Sequence, residues 1–418
     1  MKSPVVAVVS FPGNNCEVES LRSLKQAGIT PLYFRWNDDR EKLAEVDGYF
    51  IPGGFSYEDR GRSGMVAGRD SLMEFIAREA EQGKAVIGNC NGAQILVESG
   101  LIPLDKGLRM SLARNVVEEN GSPVATGFLS EWVWITPASG ADRCCTSDWQ
   151  GTMHVPIAHG EGRFTTRDQD VVSELKKNKQ IAFSYCDAEG KVSSDASVTP
   201  NGSMYAIAGL CNPVGNVVAL MPHPERTANG APYFASLKKW IATRQKQAMP
   251  PVVRLDDQHW TLPEKKRSGT EIFIDTIIVN NEERTVEQTA RMYAPNLRLR
   301  QWRYVMLPNG DPSRLLSSLS FLNANKERAY VRRGNTVTRW NAEKKAEEPL
   351  AKDQATTLLD GALLLRRDLP DTASAGLGEG AETGVCYLCT DVPEEALSSR
   401  RLLEVFANPH ASDLRRLR

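Results

Sequence analysis

The stretch Val86-Ile87-Gly88-Asn89-Cys90-Asn91-Gly92-Ala93-Gln94-Ile95-Leu96 decides how the chain is read. It starts as the apolar end of a strand, passes one cysteine between Gly88 and Gly92, and continues as an amphipathic helix. A side chain at such a turn is held on a sharp backbone bend, exposed at the end of a sheet, as in the G-x-S-x-G elbow. The first N–H groups of the following helix point toward the sulfur and favour its thiolate. Cys90 is therefore read as a nucleophile. On these residues alone the elbow could serve a protease or an esterase. A lone cysteine is more often a small core residue; it is the context that reverses those odds.

Working outward, apolar strands alternate with helices. Residues 4–10 read as a strand, Glu17 to Ala27 as a helix with Val18, Leu21 and Leu24 on one face, and Thr30 to Arg35 as a second strand. Val46 to Ile51 is a third strand running into Pro52-Gly53-Gly54-Phe55, Asp70 to Gly83 a helix, and Lys84 to Gly88 the strand feeding Cys90. This alternation predicts an α/β fold, a parallel sheet with helices on both faces. Ligands of such sheets bind at the carboxyl ends of the strands, where both Gly53-Gly54 and Cys90 fall. Further on, 112–140 and 156–165 read as strands and hairpins, 168–179 as a charged helix or loop, and Ile181 to Cys186 as a strand. Tyr205 to Leu210 and Val217 to Met221 form a strand pair, and Tyr233 to Gln247 is a closing helix before Pro250-Pro251.

The whole chain has 418 residues, 41% hydrophobic and 25% charged, which predicts a globular protein of two or three domains. A net charge of -1 argues against non-specific nucleic-acid binding. No apolar run reaches transmembrane length, and Val5-Val6-Ala7-Val8-Val9 is a buried strand rather than a signal peptide. Eight cysteines are too sparse for a disulfide framework, so the expected location is the cytoplasm.

A thiol nucleophile needs a base, and the base an orienting group. Among the five histidines His223 stands out, because Glu225 follows two residues on across Pro224 and projects to the same side in extended chain. The expected triad is Cys90, His223 and Glu225. The tetrahedral intermediate needs an oxyanion hole, for which the elbow supplies the N–H of Asn91 and the Gly53-Gly54 loop, through Gly54, a second donor.

At this point the chain resembles a family, the class I or triad glutamine amidotransferases, and within it the glutaminase subunits of phosphoribosylformylglycinamidine synthase. The resemblance rests on Phe11-Pro12-Gly13-Asn14-Asn15-Cys16, Pro52 to Tyr57, Cys90-Asn91-Gly92 with Gln94, Pro156 to Arg163, Pro200-Asn201-Gly202-Ser203 and Met221-Pro222-His223-Pro224-Glu225-Arg226. These occur in family order across residues 4–247. One departure is that Glu58 stands before Asp59 where the family usually has glycine. The resemblance implies a flavodoxin-like, mostly parallel sheet flanked by helices. It implies glutamine hydrolysis to glutamate and ammonia, with Gly53, Gln94 and His159 helping to hold glutamine. It implies a partner synthetase subunit that uses the ammonia to convert formylglycinamide ribonucleotide to its amidine, with ATP and magnesium belonging to that partner and no cofactor in this chain. In many bacteria a third, small subunit bridges the two. The rival readings are an amidotransferase serving another acceptor and a non-catalytic scaffold.

The expected division is an amidotransferase domain over 1–249, a linker over 250–268 and an α+β extension over 269–418. The strand-helix-strand-helix-strand order read over 271–333 is compatible with a ferredoxin-like arrangement, and by that analogy with a small-subunit-like docking domain. Pro312 to Leu322 is expected to be a helix, Gly376 to Thr383 flexible, and Val385 to Cys389 and Glu394 to Phe406 a last strand and helix. Arg291, Arg298, Arg300, Arg303, Arg332 and Arg333 suit either an acidic or phosphate partner or, more commonly for such runs, a solvated face. Cys386 and Cys389 have metal-like spacing without a second pair, so no metal is expected.

Overall fold

The computed structural model describes residues 3–103, 107–140, 142–243, 259–266, 268–308, 310–350 and 360–418. The chain divides into two compact units, 1–256 and 257–418. The linker expected over 250–268 falls largely outside the described residues, as do the last four residues of the helix expected to end at Gln247. From His259 onward the chain is built into the second unit, since His259 bridges Ser399 and Glu264 pairs with Arg416.

In the first unit the strands used below are β1 (Val5–Ser10), β2 (Thr30–Arg35), β3 (Gly48–Ile51), β4 (Ala85–Asn89), β5 (Leu129–Pro137), β6 (Met153–His159), β7 (Glu161–Thr165), β8 (Ile181–Cys186), β9 (Ile207–Cys211) and β10 (Val217–Leu220). The helices used below are α1 (Glu17–Gln26), α2 (Ser71–Glu81), α3 (Asn91–Glu98), α4 (Gln169–Lys177) and α5 (Ala231–Thr243). Nine strands form one sheet in the order β2-β1-β3-β4-β10-β9-β8-β5-β6. The pairs from β2 through β4 to β10 are parallel, and those from β10 through β6 antiparallel. Strand β7 leaves the sheet and pairs with Ser111–Arg114.

Local chemistry explains the helices. Asp70 caps α2 by accepting from the Leu72 N–H at 2.8 Å, and Leu72, Met73 and Ile76 are buried beneath it; each such side chain contributes about 1.5–3 kcal/mol. Asp168 caps α4 in the same way. In α1 the structure corrects one detail. Leu24 is buried and Leu21 packs on the core, but Val18 is 63% exposed. At about 100° per residue, positions six apart point well away from each other. Apolar clusters line both faces of the sheet, and Cys90 belongs to one of them.

The second unit has its own nine-stranded sheet, ordered β11-β19-β17-β18-β13-β12-β14-β15-β16. These are β11 (Glu264–Lys265), β12 (Thr270–Thr276), β13 (Arg298–Leu307), β14 (Glu327–Arg333), β15 (Thr336–Asn341), β16 (Ala346–Pro349), β17 (Ala362–Asp368), β18 (Glu382–Thr390) and β19 (Ser412–Leu417). Helices α6 (Asn281–Ala290) and α7 (Arg400–Phe406) accompany them. The order is not ferredoxin-like: β12 and β13, joined through α6, pair directly and antiparallel, with no strand between them. Periodicity finds strands but does not say which become neighbours. The helix expected over Pro312 to Leu322 is a single turn, Ser313–Leu316. The segment expected to be flexible runs into β18, tied by the Asp371 carboxylate, which accepts from the Thr383 hydroxyl and N–H.

All six singled-out arginines are paired with carboxylates, to Glu287, Asp391, Asp275, Glu327, Glu271 and Glu347 in sequence order. Arg332 is the exception to any surface reading. It is 1% exposed, donates from Nε to Glu271 Oε2 at 2.6 Å and lies over the Phe273 ring, while the Tyr304 hydroxyl donates to the other Glu271 oxygen at 2.8 Å. Cys386 and Cys389 sit three apart on one strand, so their thiols leave opposite faces and do not converge on one ion. Burial pushes both thiols up, Cys389 to about 12. Removing Glu271 strands a buried guanidinium. Glu271→Ala is expected to destabilise the second unit by about 3–5 kcal/mol, read as lost hydrogen-exchange protection in β12 and β14 with the first unit unchanged.

Candidate active site

Cys90 stands between β4 and α3 with φ 51° and ψ -108°. That conformation is uncommon for any residue with a Cβ. It is enforced from both sides: the Cys90 N–H bonds to Leu220 O at 2.7 Å, continuing the β4–β10 pairing, and Gly88 and Gly92 are in mutual contact. A Cβ on Gly88 would stand 2.3 Å from Gly92 O, and one on Gly92 2.0 Å from Ile51 O. The two glycines flanking the cysteine are thus required by close backbone approach.

His223 and Glu225 follow β10, the neighbour of β4. The His223 N–H is anchored to Pro156 O at 2.9 Å, and His223 Nδ1 meets Glu225 Oε1 at 2.6 Å. The second carboxylate oxygen accepts from Asn89 Nδ2 at 2.8 Å, and the Tyr233 hydroxyl donates to Asn89 Oδ1 at 2.9 Å. His223 is 1% and Glu225 4% exposed. Burial by itself disfavours the imidazolium, but the negative charges of Cys90 and Glu225 outweigh it and raise His223 well above its ordinary value. Burial pushes the Glu225 carboxyl up, and the His223 charge with the hydrogen bonds from His223 and Asn89 overrides this and holds it low. The thiols of Cys16 and Cys90 both lie against the His223 ring.

The other site residues fall into two groups. Gly53 and Gly54 reach the triad: a Cβ on Gly53 would stand 2.6 Å from His223 Cε1 and 3.4 Å from the Cys90 Cβ, and Gly54, at φ 142°, lies 2.5 Å from Asn14 Cα by the same measure. The backbone of Asn91 opens α3 directly after Cys90, while its side chain braces the surrounding loops. Asn91 Oδ1 accepts from the Ser56 N–H at 3.0 Å, and Nδ2 donates to Gln94 Oε1 at 2.8 Å. Gln94 in turn donates to Glu161 O at 2.5 Å, so both ends of its amide are engaged within the protein. His159 is buried against Gly162, with neither ring nitrogen hydrogen-bonded among the described residues. Burial, then the His223 charge, pushes its imidazole down to about 3 and keeps it neutral. Its neighbour Ala158 presents a carbonyl oxygen 3.6 Å from Cys90 Sγ.

Sequence reasoning missed Asn89, Tyr233, Asn14 and Cys16 as parts of the site. Asn14 Nδ2 lies 3.2 Å from Pro52 O and 3.3 Å from Gly53 O, fixing the glycine loop. Asn14 and Cys16 were visible within the Phe11 to Cys16 stretch and Asn89 in its position before Cys90, whereas Tyr233 carries no signal in its surroundings.

A family model for the CobB/CobQ-like glutamine amidotransferase domain matches residues 3–254. The phosphoribosylformylglycinamidine synthase subunit PurQ of Methanothrix thermoacetophila is 39% identical over 259 residues, covering 57% of this chain and 99% of that protein. The chain belongs to the PurQ family of glutamine amidotransferases. The PurQ subunit of Thermomicrobium roseum is 40% identical over 221 residues, covering 53% of this chain and 86% of its own length. A chain in the solved structure of PurLQS from Thermotoga maritima is 30% identical, with a TM-score of 0.45, covering 57% of this chain and 100% of that one. The family match ends at residue 254, so the second unit from Asp257 lies beyond it.

The departure at Glu58 has a structural cost. Tyr57, Glu58 and Asp59 stand in succession at φ 52°, 59° and 54°. Each left-handed residue with a Cβ costs roughly 1–2 kcal/mol. Glu58→Gly is expected to stabilise the chain by about 0.5–1 kcal/mol, the relief less the entropy of a freer unfolded chain, measured as a raised urea midpoint. Asp59 beside it is pushed up to about 7 by burial and by the charge of Glu161. An aspartyl raised above its unfolded value, about 3.9, keeps its proton in the native state where the unfolded chain has lost it. Its contribution is therefore fully present below about pH 4 and lost as pH rises through about 7. In paired urea titrations Asp59→Asn is expected to gain on the parent across that window and to differ little below it.

Proposed function

We propose that Cys90, His223 and Glu225 carry the hydrolysis of glutamine by which this chain serves as the glutaminase subunit of phosphoribosylformylglycinamidine synthase in purine biosynthesis. The observation that carries the assignment is the buried 2.6 Å contact between His223 Nδ1 and Glu225 with the elbow cysteine against the same ring. Glu225 holds the tautomer with the proton on Nδ1, which leaves Nε2 to exchange a proton with sulfur. The Cys90 sulfur attacks the side-chain amide carbon, and the oxyanion is received by the N–H groups of Asn91 and Gly54. The imidazolium gives its proton to the departing nitrogen, releasing ammonia and leaving a glutamyl thioester. His223 then takes a proton from water, which cleaves the thioester to glutamate and restores the thiol. Gly53 gives the substrate room, and His159, neutral and without a hydrogen-bond partner among the described residues, is available to its polar end. Gln94 supports this pocket by bracing Asn91 and the Glu161 backbone.

The ammonia passes to a synthetase partner that converts formylglycinamide ribonucleotide to its amidine. ATP and magnesium are assigned to that partner, because thioester formation and hydrolysis consume neither. A small bridging subunit is part of the expected complex. The strand order of the second unit gives no support to likening it to such a subunit, so its role is to be read by experiment. No helix among the described residues is long and apolar enough to cross a membrane. The eight free thiols favour a reducing cytoplasm.

Cys90→Ala is expected to lower glutamate release by on the order of 10⁴-fold or more, and Glu225→Gln by about 10³–10⁴-fold. With the synthetase present, both variants are expected to keep amidine formation from added ammonium salts. Glutamate release surviving in Cys90→Ala would remove the cysteine from its role. The same assay on chains with and without 257–418 reads whether the second unit governs association.

A further inference from the structure

Cys16 is the one site thiol to which glutamine hydrolysis gives no work. It caps α1, is 1% exposed, and its N–H bonds to Gly53 O at 3.3 Å. Its Sγ, a ring nitrogen of His223 and a carboxylate oxygen of Glu225 all lie within 4.8 Å of one another, and all three residues are buried. His223 Nδ1 is the ring nitrogen that faces Glu225, at 2.6 Å. A thiolate, an imidazole and a carboxylate are the donor types that zinc takes, at about 2.0–2.3 Å each, which sets tetrahedral ligands about 3.5 Å apart. The cysteine also stands at the N-terminus of a helix of ten residues, where an anion is favoured.

We propose that Cys16, His223 and Glu225 form an inhibitory site for a thiophilic divalent cation of the zinc type. Binding replaces the thiol proton of Cys16, which leaves to solvent, and takes the Nδ1 position of His223, whose proton passes to Nε2. The site excludes function by arithmetic: His223 cannot serve Cys90 while it ligates a cation. Sequence reading had no means to see the set, since its members lie at positions 16, 223 and 225 with no metal-type spacing. The inhibitory effect rests on the role given to His223 above, whereas binding itself does not.

The test separates the two. Cobalt(II) added to the full chain is expected to bind once and to give a thiolate-to-metal charge-transfer absorption. The band is expected to persist in Cys90→Ala and to vanish in Cys16→Ser. X-ray absorption of the zinc complex of Cys90→Ala is expected to show one sulfur at about 2.3 Å, a reading that needs no Cys16 variant to fold. Zinc is expected to suppress glutamate release by the parent, and Cys16→Ser, compared with its own metal-free rate, to require at least tenfold more zinc for half-inhibition. Absence of the band, a band lost in Cys90→Ala and kept in Cys16→Ser, or equal zinc sensitivity of parent and Cys16→Ser would each overturn the site. Were the chain inactive on glutamine altogether, the cobalt band would still decide whether the site exists.

Discussion

Cys90 sits at a positive φ because the chain passes from β4 into α3 with no residue to spare. Two glycines let the strand, the helix and Ile51 approach at backbone distance, and pairing with β10 pins the Cys90 N–H. The same pairing sets where His223 and Glu225 emerge, since β10 is the parallel neighbour of β4 and both strands end at the same edge. Strain at one residue is thus repaid by burial around it, the usual economy of a site built for reaction.

Electrostatics follow from the same burial. An imidazole and a carboxylate removed from water would each revert to neutrality. Here the imidazolium and the carboxylate offset one another, and Asn89, itself held by the Tyr233 hydroxyl, donates a further hydrogen bond to the buried acid. His159, next to Ala158 and with no such partner among the described residues, goes the other way and stays neutral. Two histidines of one pocket are held in opposite states by what faces them.

The second unit uses the same physics for structure. The Arg332 side chain is buried to 1% exposure and tolerated because Glu271 and the Phe273 ring receive it. Five further arginines are paired at or near the surface, which leaves no unpaired basic face among those six. Pairs of that exposed kind contribute little to stability.

The sequence by itself determined the elbow, the parallel half of the sheet and the His-Pro-Glu segment, because each depends on contacts within a few residues: glycine beside cysteine, strand running into helix, alternation along an extended segment. Family motifs extended this to the Gly53-Gly54 loop. What only the tertiary structure decided depends on strand neighbours and on contacts between distant positions. The bracing of Glu225 by Asn89 and Tyr233 spans 136 and 144 residues in its two hydrogen bonds. The approach of Cys16 to the imidazole, the direct β12–β13 pairing and the burial of Arg332 are of the same kind. Periodicity along a chain encodes which face a residue prefers, while the partner across that face is chosen by packing among elements that the local pattern does not order.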